Sequence, residues 1–149
     1  MPKEIFYLLA VIAGLATVTQ IGVNNQLNHF TQNPAISSLI SFLVGTVALV
    51  VYVLITSYQS IPQLSALSQL DWWKFSGGLL GVFYIATSII VAPKIGAANT
   101  LGFLVAGQLV FSVIFDHFGF LGFPVKSINI YRVLGIALMI AGVFLVRKF

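Results

Sequence analysis

The sequence predicts an all-α polytopic membrane protein with five transmembrane helices, and three observations lead to that fold class. The hydrophobic fraction is 59% and the charged fraction 7%, whereas soluble domains average roughly 45–50% apolar and about 25% charged. Five apolar runs each reach about the 20 residues that a hydrocarbon layer of about 30 Å requires. The runs are continuous rather than alternating, which favours helices over the strands of a membrane barrel.

The five helices are predicted over residues 5–24, 34–56, 72–92, 95–118 and 128–146, in a single transmembrane domain. The prolines agree with these boundaries because all of them lie in joints or at helix starts, where a missing N–H costs least: Pro2, Pro34, Pro62, Pro93 and Pro124. Trp72 and Trp73 open the third run, as residues of an aromatic belt would. The first run is too long and too polar at its end for a cleaved signal segment, so we expect it to be retained.

Composition also excludes several classes of function. Seven Lys and Arg residues against three acidic residues give a net charge of +4. The basic residues are spread along the whole chain, so they form no clustered basic face for nucleic acid. The absence of cysteine excludes a disulfide framework and a thiolate nucleophile. Two histidines and three acidic residues give no catalytic set and no metal-ligand spacing. We therefore expect no enzyme, no cofactor and no metal site, and we expect membrane lipid around the chain.

The distribution of positive charge leaves the orientation in the membrane open. Five spans place the termini on opposite faces, and the Lys and Arg residues divide almost evenly: Lys3, Lys74, Lys126 and Arg132 on the N-terminal face, and Lys94, Arg147 and Lys148 on the other. Either the orientation is weakly fixed, or the chain inserts both ways and assembles as an antiparallel homodimer. The second arrangement would give ten spans with the inverted symmetry on which many alternating-access transporters are built.

The first apolar run carries three polar residues on one helix face, Thr17, Gln20 and Asn24, spaced three and four apart. Two interpretations stay open for Gln20 and Asn24. Their amides could hold the helices together by interhelical hydrogen bonds, or they could line a substrate pathway. Tyr84 in the third run and Asn99 in the fourth are secondary candidates for the same pathway, although residues at such positions more often serve packing.

In the fourth run Gln108, Ser112 and Asp116 recur every four residues and share a face. Gln108 is a further pathway candidate. Asp116 lies near the helix exit, where a carboxylate opposes the helix macrodipole. We therefore expect it to pair with Lys126 or Arg132, either as a structural ion pair or as a coupling group. No carboxylate lies in the middle of a predicted span, which weakens the case for proton-driven antiport.

Short motifs spread over nearly the whole chain support a family resemblance. They are Gln20 with Asn24, Ser41-Phe42 with Gly45, Trp72-Trp73 with Gly77-Gly78, Gly81 and Tyr84, Pro93 with Gly96-Ala97, Gly107-Gln108, Asp116 with Phe118-Gly119, and Arg132 with Gly135. Together they resemble the YdcZ-like family of the drug/metabolite transporter superfamily, small five-span proteins of the bacterial inner membrane. The resemblance implies kinship with the small multidrug resistance exporters, a fifth helix, and assembly as antiparallel dual-topology dimers, hetero-pairs or fused ten-span chains.

The chain departs from the small multidrug exporters in its first span. Those proteins carry a central glutamate there, whereas here the nearest polar residues are Gln20 and Asn24, so proton coupling and cationic drugs are not implied. The leading hypothesis is a small-molecule transporter, an exporter, whose amide-lined pathway suits a neutral or zwitterionic metabolite. The alternative is a non-transporting membrane scaffold or assembly subunit whose amides serve assembly alone. An ion channel is disfavoured because no charged ring or filter motif is present.

Overall fold

The computed structural model describes residues 2–149, and within that range it contains α-helices and short 3-10 turns but no β-strand. The α-helices are α1 (Lys3–Thr31), α2 (Pro34–Thr56), the short α3 (Leu64–Leu67), α4 (Ser76–Ile95), α5 (Ala97–Phe118) and α6 (Ile130–Lys148). Five stretches of this described range are long and apolar enough to cross a membrane: α1, α2, Trp72–Ile95, α5 and α6. The predicted all-α, five-span fold class is confirmed.

Large apolar side chains face outward along all five of these helices. Strongly exposed examples occur on each of them, such as Leu15, Val44, Phe83, Phe111 and Leu138. Among the described residues the buried apolar side chains are few: Ile21, Ile85, Ile89, Ala92 and Ala106. A water-soluble surface rarely carries contiguous apolar patches of more than a few hundred Å². The surroundings of this chain are therefore hydrocarbon.

Contacts divide the chain into two units, the first ending at Ile90 and the second beginning at Val91. In the first unit α1 packs against α2, and only Gln32 and Asn33 separate the two helices. Gln32 ends α1 in the left-handed conformation, with φ 54°. Asn33 then caps α2, because its Oδ1 accepts hydrogen bonds from the N–H groups of Ala35 and Ile36 at 2.9 and 3.3 Å.

Helix α1 continues to Thr31, well past the predicted end near residue 24. The prediction used the loss of apolar character, which marks where the hydrocarbon ends rather than where the helix ends. Pro34 is the residue that stops the helix, because a proline excludes the preceding residue from helical backbone angles. Asn33 accordingly has an extended conformation, with φ −146°.

The third and fourth predicted helices meet at Gly96. Trp72–Phe75 form a 3-10 turn, α4 runs from Ser76 through Pro93 to Ile95, and α5 begins at Ala97. Gly96 has φ 86° and ψ 155°, a region that is essentially restricted to glycine. The break predicted at Pro93 therefore lies at Gly96, since a proline in the last turn removes only one helical hydrogen bond.

In the second unit α5 packs against α6. A Cβ atom at Gly102 would lie 3.0 Å from Val143 Cγ1, so the glycine allows the two backbones to approach closely. The rings of Phe103 and Phe144 meet edge to face, with centroids 6.2 Å apart. Helix α6 begins at residue 130 rather than the predicted 128 because Asn129 caps it, accepting a hydrogen bond from the Arg132 N–H at 2.9 Å.

Candidate functional site

Polar side chains join the C-terminal end of α1 to the start of α2, and Ser37 is at the centre of this contact. Ser37 is fully buried. Its hydroxyl lies 2.6 Å from Thr31 Oγ1 and 3.4 Å from Asn28 Oδ1, and 3.1 Å from the Asn33 carbonyl oxygen. A hydroxyl has one proton to donate but can also accept. The short contact with Thr31 therefore carries most of this link between α1 and α2, and the longer contact with Asn28 adds to it.

Asn24 lies one helical turn before Asn28 and shares its face of α1. Only 2% of Asn24 is exposed. Its Nδ2 is buried and has no hydrogen-bond partner among the described residues. An unsatisfied buried amide donor costs about 1–3 kcal/mol. Asn24 therefore differs from Asn28 in presenting a donor that this chain does not use.

Gln20 lies one turn before Asn24 on the same face, and its side chain is exposed. It lines a cavity of about 210 Å³ between α1 and α2, together with Ser41, Phe42, Gly45, Thr46 and Leu49. The space beside Gly45 is open, because a Cβ atom built on this residue would meet nothing within 4 Å. The structure thus places Gln20 at a cavity between α1 and α2, and it buries Asn24 one turn further along the same face of α1.

Tyr84 lies half-buried on α4, next to a buried face of that helix. Ile85, Ser88 and Ile89 form this face. Ser88 is fully buried, and its hydroxyl donates to the Ile85 carbonyl oxygen at 2.8 Å within the helix. Sequence reasoning missed Ser88, since a single serine among apolar residues gives no pattern.

Asn99 and Thr100 stabilise the joint at Gly96. Asn99 Nδ2 donates to the Ile95 carbonyl oxygen at 2.8 Å, and Thr100 Oγ1 donates to the Gly96 carbonyl oxygen at the same distance. Both bonds satisfy carbonyl groups near the α4–α5 joint. Asn99 Oδ1 is buried without a partner among the described residues. The amide nitrogen of Asn99 therefore has a structural role, and its predicted pathway role rests on the oxygen alone.

Gln108 lies exposed on α5. Ala106, two positions earlier, is buried, and residues two apart point to nearly opposite sides of a helix. Gln108 therefore faces away from the buried side of α5. An amide exposed on a membrane helix needs a partner from another helix, a second chain or a solute.

Asp116, Lys126 and Arg132 lie together where α5 ends and α6 begins. Arg132 Nη2 donates to Asp116 Oδ2 at 2.7 Å, and each of the two side chains is about a quarter exposed, at 26% and 25%. Arg132 Nη1 donates to the Lys126 carbonyl oxygen at 3.0 Å. The Lys126 N–H donates to the Asp116 carbonyl oxygen at 2.8 Å. Of the two predicted partners of Asp116, Arg132 thus acts through its side chain and Lys126 through its backbone.

His117 adds a further bond across the same junction. Its Nδ1 accepts a hydrogen bond from the Ile128 N–H at 3.2 Å. Nothing in the sequence indicated this bond, because a contact across eleven positions leaves no local pattern. The Asp-His pair at the end of α5 therefore connects this helix to the start of α6.

Five apolar helices whose polar groups are amides, hydroxyls and an interfacial ion pair define a class: this is a multi-pass α-helical membrane protein. The family model described as "Putative inner membrane exporter, YdcZ" matches residues 5–145, so the chain belongs to that family of inner-membrane proteins. It is similar to Inner membrane protein YdcZ of Escherichia coli (strain K12), with 29% identity over 150 residues that cover 99% of this chain and 98% of the relative. No solved structure matches the chain. The predicted family and the inner-membrane localisation are confirmed.

Proposed function

We propose that this chain exports a small molecule by alternating access between two antiparallel copies, along a pathway lined by Gln20, Asn24 and Gln108. The family description as an exporter supports transport. The observation that carries the proposal is Asn24, whose buried Nδ2 has no hydrogen-bond partner among the described residues. A transported solute with an acceptor oxygen would satisfy this donor.

The surroundings of Asn24 favour a solute over a purely structural role. The neighbouring Asn28 bonds to Ser37 on α2, so α2 does offer hydroxyl groups to α1. Ser41 lies one turn further along α2, but it is not bonded to the Nδ2 of Asn24. It lines the cavity together with Gln20. These groups are uncharged, and they fit a neutral or zwitterionic metabolite better than a strong cation, which would need a carboxylate.

A second copy is part of the proposal because Gln108 is exposed on α5. In lipid an outward-facing amide is unfavourable, and an antiparallel partner would cover it. The nearly even division of Lys and Arg between the two faces fits insertion in both orientations. Tyr84 and Asn99 Oδ1 are secondary candidates for the lining. The Asp116–Arg132 pair holds α5 to α6 in this scheme, and coupling through Asp116 is the less favoured role.

Efflux from proteoliposomes tests the pathway. Vesicles are loaded with a mixture of neutral and zwitterionic metabolites, and the solutes released are identified by mass spectrometry. We expect Asn24→Leu to slow the efflux of a transported solute about tenfold, the equivalent of one hydrogen bond of about 1.4 kcal/mol. The matched control is Thr17→Val on the same helix, because Thr17 Oγ1 only donates to the Ala13 carbonyl oxygen of α1. Its efflux should be unchanged.

Two outcomes would contradict the proposal. Solute efflux that survives both Asn24→Leu and the pair Gln20→Leu with Gln108→Leu would remove these residues from the pathway. Wild-type protein that moves no solute in the mixture, while the amide substitutions weaken its dimer in detergent, would favour the scaffold alternative.

A further inference from the structure

The loop between α5 and α6 exposes an unusual number of large apolar side chains. At least half of each of the following is exposed: Phe118 at the end of α5, and Phe120, Leu121, Phe123 and Val125 in the loop. The other long connection, between α2 and α4, also exposes apolar side chains such as Ile61 and Trp72, but Ser and Gln residues separate them. Contiguous exposed apolar surface marks a contact with protein or membrane, so the composition of the α5–α6 loop points to a partner other than water.

The loop holds these side chains outward in a defined shape. Gly119, Leu121 and Gly122 have positive φ angles of 65°, 56° and 83°, and a positive φ is uncommon for a residue such as leucine. The rings of Phe118 and Phe120 stack, with centroids 5.2 Å apart. The Asp116–Lys126 and His117–Ile128 bonds close the base of the loop. The apolar cluster is therefore presented on a fixed turn.

We propose that this loop inserts into the interfacial layer of the membrane, with Phe120, Leu121 and Phe123 between the lipid headgroups and the upper acyl chains. The loop joins two membrane-spanning helices, so it begins and ends at the edge of the hydrocarbon. Its apolar surface continues the lipid-facing surface of α5 and α6, on which Phe111 and Ile130 are exposed. Apolar and aromatic side chains at this level reach a depth of about 5–10 Å.

The charge of the loop fits the same partner. Arg132 is engaged by Asp116, whereas the side chain of Lys126 is exposed directly after the apolar cluster. A lysine in this position can extend to the lipid phosphates while its stem stays among apolar groups. Lipid is therefore the occupant that satisfies both the apolar cluster and the adjacent cation.

Tryptophan fluorescence in brominated lipid tests the insertion. Trp72→Phe and Trp73→Phe remove the native tryptophans, of which there are two, and Phe120→Trp then provides the probe. In phosphatidylcholine–phosphatidylglycerol vesicles we expect blue-shifted emission that is quenched most strongly by bromine near the headgroup end of the acyl chain. Gln63→Trp, at an exposed polar position of the α2–α4 connection, is the matched control and should be quenched by aqueous acrylamide instead.

Other results would overturn the proposal. Quenching of Phe120→Trp by acrylamide, with no response to bromine, would place the loop in water. Protection from both quenchers would show that protein, rather than lipid, covers the loop. Phe123→Trp serves as a second probe in case Phe120→Trp disturbs the ring stack, and a water-exposed tryptophan there would also contradict insertion.

Discussion

The two helix pairs of this protein, α1–α2 and α5–α6, are connected by different chemistry. A two-residue turn, Gln32–Asn33, connects the first pair, and its interhelical hydrogen bonds are between uncharged groups around Ser37. A loop over residues 119–129 connects the second pair, and an ion pair between Asp116 and Arg132 supports it. In both pairs an asparagine caps the second helix, Asn33 for α2 and Asn129 for α6.

The difference shows where a membrane protein can place each kind of polar group. A charge at the bilayer centre costs about 2.5–3.5 kcal/mol on insertion scales, and uncharged amides cost less. Uncharged amide side chains such as Gln20 and Asn24 can therefore lie within the membrane-spanning part of α1. The ion pair stays at the helix ends, where each partner is still a quarter exposed. In the proposed scheme the uncharged amides of α1 line the solute pathway together with Gln108 of α5, while the charged α5–α6 junction mainly supplies stability.

The largest effect is expected from Arg132→Ala. This change leaves the Asp116 carboxylate without its partner and also removes the bond from Arg132 Nη1 to the Lys126 carbonyl oxygen. We expect the free energy of unfolding in micelles to fall by about 2–4 kcal/mol, somewhat less than for a fully buried pair. Reversible denaturation followed by circular dichroism measures it.

Lys126→Ala is the matched control, because Lys126 contributes to the junction through its backbone. It should change the free energy of unfolding by less than about 0.5 kcal/mol. The double variant Arg132→Gln with Asp116→Asn should recover part of the loss, since no charge then remains unpaired. Equal losses in Lys126→Ala and Arg132→Ala would mean that the ion pair does not hold this junction.

Much of the fold could be predicted from the sequence because the length and apolar character of a span follow directly from the thickness of the membrane. The helix ends were less predictable. The polar residues that follow Asn24 suggested an early end to α1, yet the backbone stays helical to Thr31, ahead of the left-handed Gln32 and the extended Asn33 that precedes Pro34. Pro93 suggested the end of α4, yet the break needs the glycine-only angles of Gly96. Such details depend on backbone conformation, which hydropathy does not report.

The candidate site shows a similar limit. The macrodipole argument narrowed the partner of Asp116 to Lys126 or Arg132, but the choice depends on the path of the loop, which no periodicity encodes. Asn24 and Asn28 look equivalent in sequence, being on one helix face. They differ in structure because Ser37 lies beside Asn28, and the register of two packed helices cannot be read from either helix alone.

The next largest effect is expected where the first helix of each pair ends. Gly119 and Gln32 both have left-handed backbone angles, with φ 65° and 54°. Gly119→Ala should lower the free energy of unfolding by about 1–2 kcal/mol from the backbone angle alone. In addition the new Cβ would lie 2.8 Å from Val125 Cγ2, which forces that side chain to move. Denaturation in micelles measures the sum.

The α1–α2 pair supplies the comparison. Gln32→Gly places a glycine at left-handed backbone angles, which should stabilise the fold. The same change removes the bond from Gln32 Nε2 to the His29 carbonyl oxygen. The two effects oppose each other, so the free energy of unfolding should stay nearly unchanged. Adding Val125→Ala to Gly119→Ala separates the contact with Val125 from the backbone effect. If Gly119→Ala is as stable as the wild type, the left-handed end of α5 is not required for the α5–α6 loop.

The smallest effect is expected from Ser37→Ala, which removes the hydroxyl bonded to Thr31 and Asn28. Interhelical hydrogen bonds in membrane proteins average about 0.6 kcal/mol and reach about 1.7 kcal/mol, so we expect a loss of about 1 kcal/mol. Ser38→Ala is the control, because Ser38 is equally buried but its hydroxyl only donates to the Pro34 carbonyl oxygen of its own helix. Denaturation in micelles should show a smaller loss for Ser38→Ala than for Ser37→Ala. Equal losses would mean that hydrogen bonds between uncharged groups do not hold α1 to α2. The missing partner of Asn24 Nδ2 would then no longer set Asn24 apart from Asn28.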